Sequence, residues 1–240
     1  MEFRFPTLTP AVRGILIAIA AVFAGQLIVA AATGFDESAV ERWVMRPFGL
    51  HTADVGLGHV WQLVTYMWLH STDTIWHLAF NALSLYFFGS MLESMMARNR
   101  FMRLYFLGGI AGGVCVVLWD LIWVVGLGNG SMATTVGASG AVSAVIAALC
   151  WTVRDRWLNI FITKLKGIHL LAIIVAIDIV RGLTQPNVAL PAHMGGMALG
   201  IAFIHGAGDP YRWWLKAQLW RQRRKLRVIQ GGQPKDDLPN

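Results

Sequence analysis

The sequence predicts an all-α polytopic membrane protein with six transmembrane helices and both termini in the cytoplasm. Three observations predict it. The 240-residue chain is 56% hydrophobic and only 14% charged, whereas soluble domains carry about 25% charged residues. Its mean hydropathy is +0.54. Six apolar runs, roughly 11–33, 75–97, 102–126, 138–153, 167–183 and 190–207, approach the ~20 residues that a ~30 Å hydrocarbon layer requires. All but three of the 20 Lys and Arg residues (Arg42, Arg46 and Arg181) then fall on one side of the membrane. Basic loops stay cytoplasmic, and an odd number of spans would break this sorting. The net charge of +7 therefore reports topology, and nucleic acid is not an expected partner. Cys115 and Cys150 both lie in apolar runs, which excludes a disulfide framework.

The first run begins near Ala11 and continues past Ala30 without a cleavage signature, so it reads as a retained span rather than a removable signal peptide. The loop 34–74 falls outside the membrane. It mixes Trp43, Phe48, Trp61, Tyr66 and Trp68 with polar residues, a composition suited to partial embedding at the interface. The second run carries His77 and Asn81, four apart and on one helix face. The third carries Gly108, Gly109, Gly112 and Gly113, small residues that let helix backbones approach. Asp120 stands near its outer end. The fourth run is short and follows a loop rich in Gly, Asn and Ser, so its helix starts below the membrane surface. Asp178 and Arg181 are three apart on the fifth run and are expected to pair on one face or to snorkel. The sixth begins Pro191-Ala192-His193 and continues with Gly195, Gly196 and Gly200. Residues 1–208 thus form the membrane domain. Residues 209–240 form a basic cytoplasmic tail, with an interfacial helix around Trp213, Trp214 and Trp220 drawn to anionic lipid and a disordered end.

Four polar residues in the spans are costly in hydrocarbon unless each finds a partner or water: His77, Asn81, Ser139 and His193. Their chemistry suits acyl transfer. A serine hydroxyl is a weak nucleophile until a neutral imidazole takes its proton, and His193 is the candidate base for Ser139. The tetrahedral intermediate needs donors aimed at its oxyanion. The Ser139 amide at a helix start, the Asn81 side chain and His77 are of the right type. Gly137, Gly140, Gly196 and Gly200 would permit the close helix approach this requires. No acidic residue beside His193 is evident from the sequence, and none is needed.

These motifs, in this order, resemble the rhomboid family of intramembrane serine proteases over roughly residues 60–205. The family's His-x-x-x-Asn is similar to His77–Asn81 and its Gly-x-x-x-Glu to Gly89–Glu93. Its Gly-x-Ser-Gly resembles Gly137-Ala138-Ser139-Gly140, and its His-x-x-Gly-x-x-x-Gly resembles His193, Gly196 and Gly200. The resemblance implies a six-helix rhomboid-like bundle with Ser139 as nucleophile and His193 as general base. It implies an oxyanion hole of His77, Asn81 and the Ser139 amide. Its substrates would be single-pass transmembrane proteins, cut in or near their spans without metal or cofactor, in a bacterial inner membrane. The first outer loop would be the family's membrane-embedded hairpin, and the fifth span a substrate gate. The chain departs from the family in three places. Gln62 follows Trp61 where many members have arginine. The spacing from His70 to His77 is two residues longer. Ser143 stands where bacterial members often place an aromatic against the catalytic histidine.

Other chemistries fit less well. Gly206-Ala207-Gly208-Asp209 spells an intramembrane aspartyl protease motif, but its partner aspartate would have to be Asp178, deep in another span. The zinc motif His-Glu-x-x-His is absent. A catalytically inactive, client-binding rhomboid-like protein is the remaining alternative; such relatives usually lack the serine or the histidine, and both are present here.

Overall fold

The structure, a computed structural model, describes residues 5–72, 75–128, 133–160, 163–185, 189–206, 214 and 218–221. It is mostly helical. Four helices are long and apolar enough to cross a membrane: α1 (Pro10–Ala32), α2 (Ile75–Glu93), α3 (Arg98–Gly126) and α5 (Gly167–Thr184). Two shorter apolar helices lie among them, α4 (Ser139–Thr152) and α6 (Leu190–Ile204). Every residue of α4 from Gly140 to Cys150 is buried. A helix that is apolar all round belongs in the interior. Its 14 residues rise about 21 Å, short of the ~30 Å hydrocarbon thickness.

The outer helices turn large apolar side chains outward, among them Ile17 and Ile28 on α1, Phe80 and Leu83 on α2, Leu118 and Ile122 on α3, and Ile177 and Leu183 on α5. Water-soluble monomers rarely expose contiguous apolar surface on this scale, so the natural solvent of this face is hydrocarbon. Inside, small residues set the spacing. A methyl group on Gly108 would collide with the Ala144 Cβ, and one on Gly112 would come 2.7 Å from the Ala192 carbonyl oxygen. These contacts seat α3 against α4 and α6 and give the run of α3 glycines a packing role.

Glu93 fastens α1. Its carboxylate accepts from the Ala11 N–H at 2.9 Å, the Val12 N–H at 3.0 Å and the Thr9 hydroxyl. The first amides of a helix have no intrahelical acceptor, and their dipole favours a negative charge there. The Gly89–Glu93 segment therefore closes the N-terminus of α1 from a neighbouring helix.

The loop between α1 and α2 is ordered by buried polar contacts. Gln62 is wholly buried; it accepts from the His51 N–H at 3.0 Å and donates to the Arg46 carbonyl at 3.1 Å. Glutamine at the position of the expected arginine thus clamps two loop segments. Gln26 on α1 exchanges two hydrogen bonds with the His70 backbone, at 2.8 and 3.1 Å. Asp120 accepts from the Thr52 hydroxyl, so this intramembrane carboxylate is held by the loop. The loop's aromatics divide: Trp43, Phe48 and Trp61 face outward, while Tyr66 is buried.

One expectation needs adjustment. The fold is not purely helical. Between α4 and α5 the chain forms an antiparallel pair, β1 (Trp157–Ile160) and β2 (Thr163–Lys166), with Trp157 opposite Lys166 and Leu158 opposite Leu165. Cross-strand pairing satisfies the backbone of this basic connection, and the Lys166 ammonium lies 5.6 Å from the Trp157 ring centre. Of the expected tail over 209–240, Trp214 and residues 218–221 are helical, with Trp214, Leu219 and Trp220 exposed. The remainder of the tail, including Asp209, lies outside the described residues, as do residues 129–132 of the glycine-rich loop before α4.

Candidate active site

Gly137 sets the entry to α4. Its φ is +121°, a conformation that an L side chain resists and glycine takes without strain. Its N–H donates to the Tyr66 carbonyl at 2.9 Å. A methyl group here would lie 2.7 Å from both His77 Cε1 and His77 Nε2, and 3.9 Å from Asn81 Nδ2. The backbone before Ser139 therefore rests directly on the His77–Asn81 face of α2.

Ser139 is the first residue of α4, so its amide is one of the orphan donors of a helix start. The side chain is half-buried. The next residue, Gly140, lies against α6: a methyl there would come 3.3 Å from the Ala192 carbonyl oxygen and 3.2 Å from the Tyr66 hydroxyl. The Tyr66 hydroxyl in turn donates to the Gly109 carbonyl at 2.7 Å, so one phenol ties the loop, α3 and the start of α4 together. A methyl on Gly196 would collide with the Gly140 carbonyl oxygen, and one on Gly200 with that of Ala144. Helices α4 and α6 therefore run backbone against backbone. Ser139 precedes one of these contacts by a residue, and His193 lies three residues before Gly196.

The four polar residues read from the sequence thus converge on one region. His77 and His193 lie close enough to interact electrostatically. Asn81 is buried and donates from Nδ2 to the His77 carbonyl at 2.9 Å. A primary amide has two N–H groups, so a second donor remains. Among the described residues no hydrogen bond joins Ser139 and His193.

Two further residues belong to this region. His70 is fully buried, with its ring centre 5.2 Å from that of His77. Burial, with His77 beside it, pushes its imidazole down to about 4, so it is neutral near pH 7. Asp178 corrects the sequence reading twice. It was expected to pair with Arg181, and no acid was expected beside His193. Instead Asp178 Oδ2 lies 3.3 Å from His193 Nδ1, while Arg181 Nε donates to Gln185 Oε1 at 3.4 Å. Helical spacing suggested the local pair because the true neighbour sits on another helix. The available signal was depth: an ionisable residue inside a span is a functional candidate by default. Ser143 is buried one turn after Ser139, and no ring stacks on His193 among the described residues.

A family model described as the Rhomboid domain matches residues 57–208. Over 142 residues the chain is 31% identical to RHOMBOID-like protein 1 of Arabidopsis thaliana, covering 59% of this chain and 33% of that protein. It is 28% identical over 156 residues to Rhomboid protease GluP of Bacillus subtilis, covering 65% of this chain and 28% of the relative. It is also 26% identical over 137 residues to Inactive RHOMBOID-like protein 8 of Arabidopsis thaliana, covering 57% and 35%. The chain thus spans about a third of the length of these relatives. The matched segment holds α2 to α6 and every residue of the site, and an integral membrane architecture goes with it: this chain belongs to the rhomboid family.

Proposed function

We propose that the protein is an intramembrane serine endopeptidase that cuts single-pass membrane proteins in or near their transmembrane segments. In this reading all six helices span the membrane with both termini in the cytoplasm, in a bacterial inner membrane, and the basic tail rests on anionic lipid. Ser139 Oγ attacks the scissile carbonyl carbon while His193 takes its proton. The oxyanion is received by the Ser139 amide, the second Asn81 N–H and His77. Collapse of the intermediate breaks the C–N bond, and His193 returns the proton to the leaving amine. Water, deprotonated by the same imidazole, then hydrolyses the acyl-enzyme and frees Ser139. The observation that carries this reading is the seating of the Gly137–Gly140 backbone on His77 and Asn81 on one side and on Ala192 on the other.

A second reading, an inactive client-binding protein, draws on the open Ser139–His193 contact and on the family's inclusion of a relative named inactive. One experiment separates the two. Purified protein in liposomes is given a small panel of single-pass reporters, beside Ser139→Ala. Cleavage lost in Ser139→Ala supports the protease. Cleavage retained in Ser139→Ala, or none by folded wild type on any reporter, counts against it.

A further inference from the structure

We propose that Asp178 is a positioning residue for His193, making the working unit Ser139–His193–Asp178 rather than a serine–histidine pair; this rests on the serine mechanism proposed above. The two side chains are only 14% and 12% exposed, and the carboxylate Oδ2 stands 3.3 Å from Nδ1. Nδ1 is buried and makes no hydrogen bond among the described residues. The distance is short enough, but the alignment is not yet that of a hydrogen bond. A small rotation of the ring or of the carboxylate corrects it, while a buried N–H left unpaired costs about 1–3 kcal/mol. No other acceptor for Nδ1 is present among the described residues, and no aromatic ring stacks on the imidazole. The carboxylate is therefore the group that can fix both ring orientation and tautomer.

The chemical consequence is specific. A proton held on Nδ1 by Asp178 leaves Nε2 as the lone-pair nitrogen, the form that can accept the serine proton. When Nε2 is protonated during attack, the carboxylate faces the imidazolium and stabilises it. Asp178 keeps its charge throughout and no proton moves to it. Among the described residues, His77 on α2 interacts electrostatically with both His193 and Arg181, and the Cys115 thiol of α3 lies against Gly195, two residues after His193. A carboxylate deep in a bilayer is expensive without a partner, and His193 supplies one from another helix.

The test is made on full-length protein in detergent micelles with ¹⁵N-labelled histidine. Wild type is expected to show the His193 signal as the Nδ1–H tautomer; an Nε2–H tautomer in wild type overturns the proposal by itself. Asp178→Asn, which keeps the side-chain shape, is expected to erase that preference. On a reporter substrate its kcat is expected to fall about 10²-fold with KM nearly unchanged. The loss is smaller than the ~10⁴ of a fully aligned triad because the observed contact is imperfectly aligned. Asp178→Glu is expected to restore part of kcat and of the tautomer preference, which a merely structural role would not do. An active wild type alongside an Asp178→Asn protein of equal kcat overturns the positioning role alone. A wild type that neither cleaves nor reacts with a fluorophosphonate overturns the serine mechanism, and this role with it.

Discussion

Replacing Gly196 by alanine perturbs the contact on which the site's geometry depends. The added methyl carbon points at the Gly140 carbonyl oxygen and falls well inside van der Waals contact with it. Ordinary carbon–oxygen contacts begin at about 3.3 Å, so α4 and α6 must part by about 1 Å at this point. A close-packed interior does not absorb such a change freely, and overpacking of this kind costs about 1–3 kcal/mol. The parting occurs one residue after Ser139 on α4 and three after His193 on α6. A misplacement of about 1 Å between reacting groups costs roughly 10² in rate. The Gly196→Ala protein is therefore expected to fold with a lowered Tm and to cleave a reporter in liposomes about 10²-fold more slowly, the loss falling on kcat. Gly25→Ala on α1 is the matched control. Beyond its own stretch of helix nothing lies within 4 Å of its added methyl, and alanine is the better helix former by about 1 kcal/mol. Its rate is expected to equal wild type. A Gly196→Ala protein that cleaves at the wild-type rate would refute the claim that backbone contact between α4 and α6 places the reacting groups.

Other predictions follow from single contacts. Asn81→Ala removes one oxyanion donor and is expected to lower kcat by roughly 10²–10³, less if His77 compensates; an unchanged rate removes Asn81 from the site. Glu93→Ala strands two buried N–H groups of α1 and is expected to cost about 2–6 kcal/mol in reversible unfolding, with kcat of the folded fraction unaltered. His70 is held down to about 4 in the folded protein, against 6.5 for a free histidine side chain. The unfolded chain then binds the extra proton between those values, so this contribution to stability is lost as pH falls from about 6.5 to about 4, by about 3 kcal/mol in all. His70→Phe is expected to flatten the stability profile in that window, and an identical slope contradicts the assignment.

Much of the fold was legible because hydrocarbon constrains sequence harshly. The apolar runs predicted at 11–33 and 167–183 fall within a residue of α1 and α5, since a span has few ways to satisfy its backbone. The short α4 was legible from the glycine-rich entry before Ser139, and the shared face of His77 and Asn81 from their four-residue spacing; that Gly137 rests on that face came only with the packed structure. What escaped was contact between elements distant in sequence. Glu93 reads as a polar residue ending a span, and only the packed bundle brings it to Ala11 and Val12. Gln62 reads as a departure, and only burial gives it two partners. The β1–β2 pair was hidden in a short basic connection with no strong alternation. Asp178 was the costliest miss: a plausible local partner three residues away masked the histidine it meets on α6.

The central claim is that Ser139 is a nucleophile activated by His193, and covalent trapping tests it most directly. Wild-type protein is treated with a fluorophosphonate in micelles and the adduct is mapped by mass spectrometry of its peptides. The account predicts a single adduct on Ser139, abolished in Ser139→Ala and strongly slowed in His193→Ala. An adduct on another residue, or labelling of Ser139 at the same rate in His193→Ala, contradicts it.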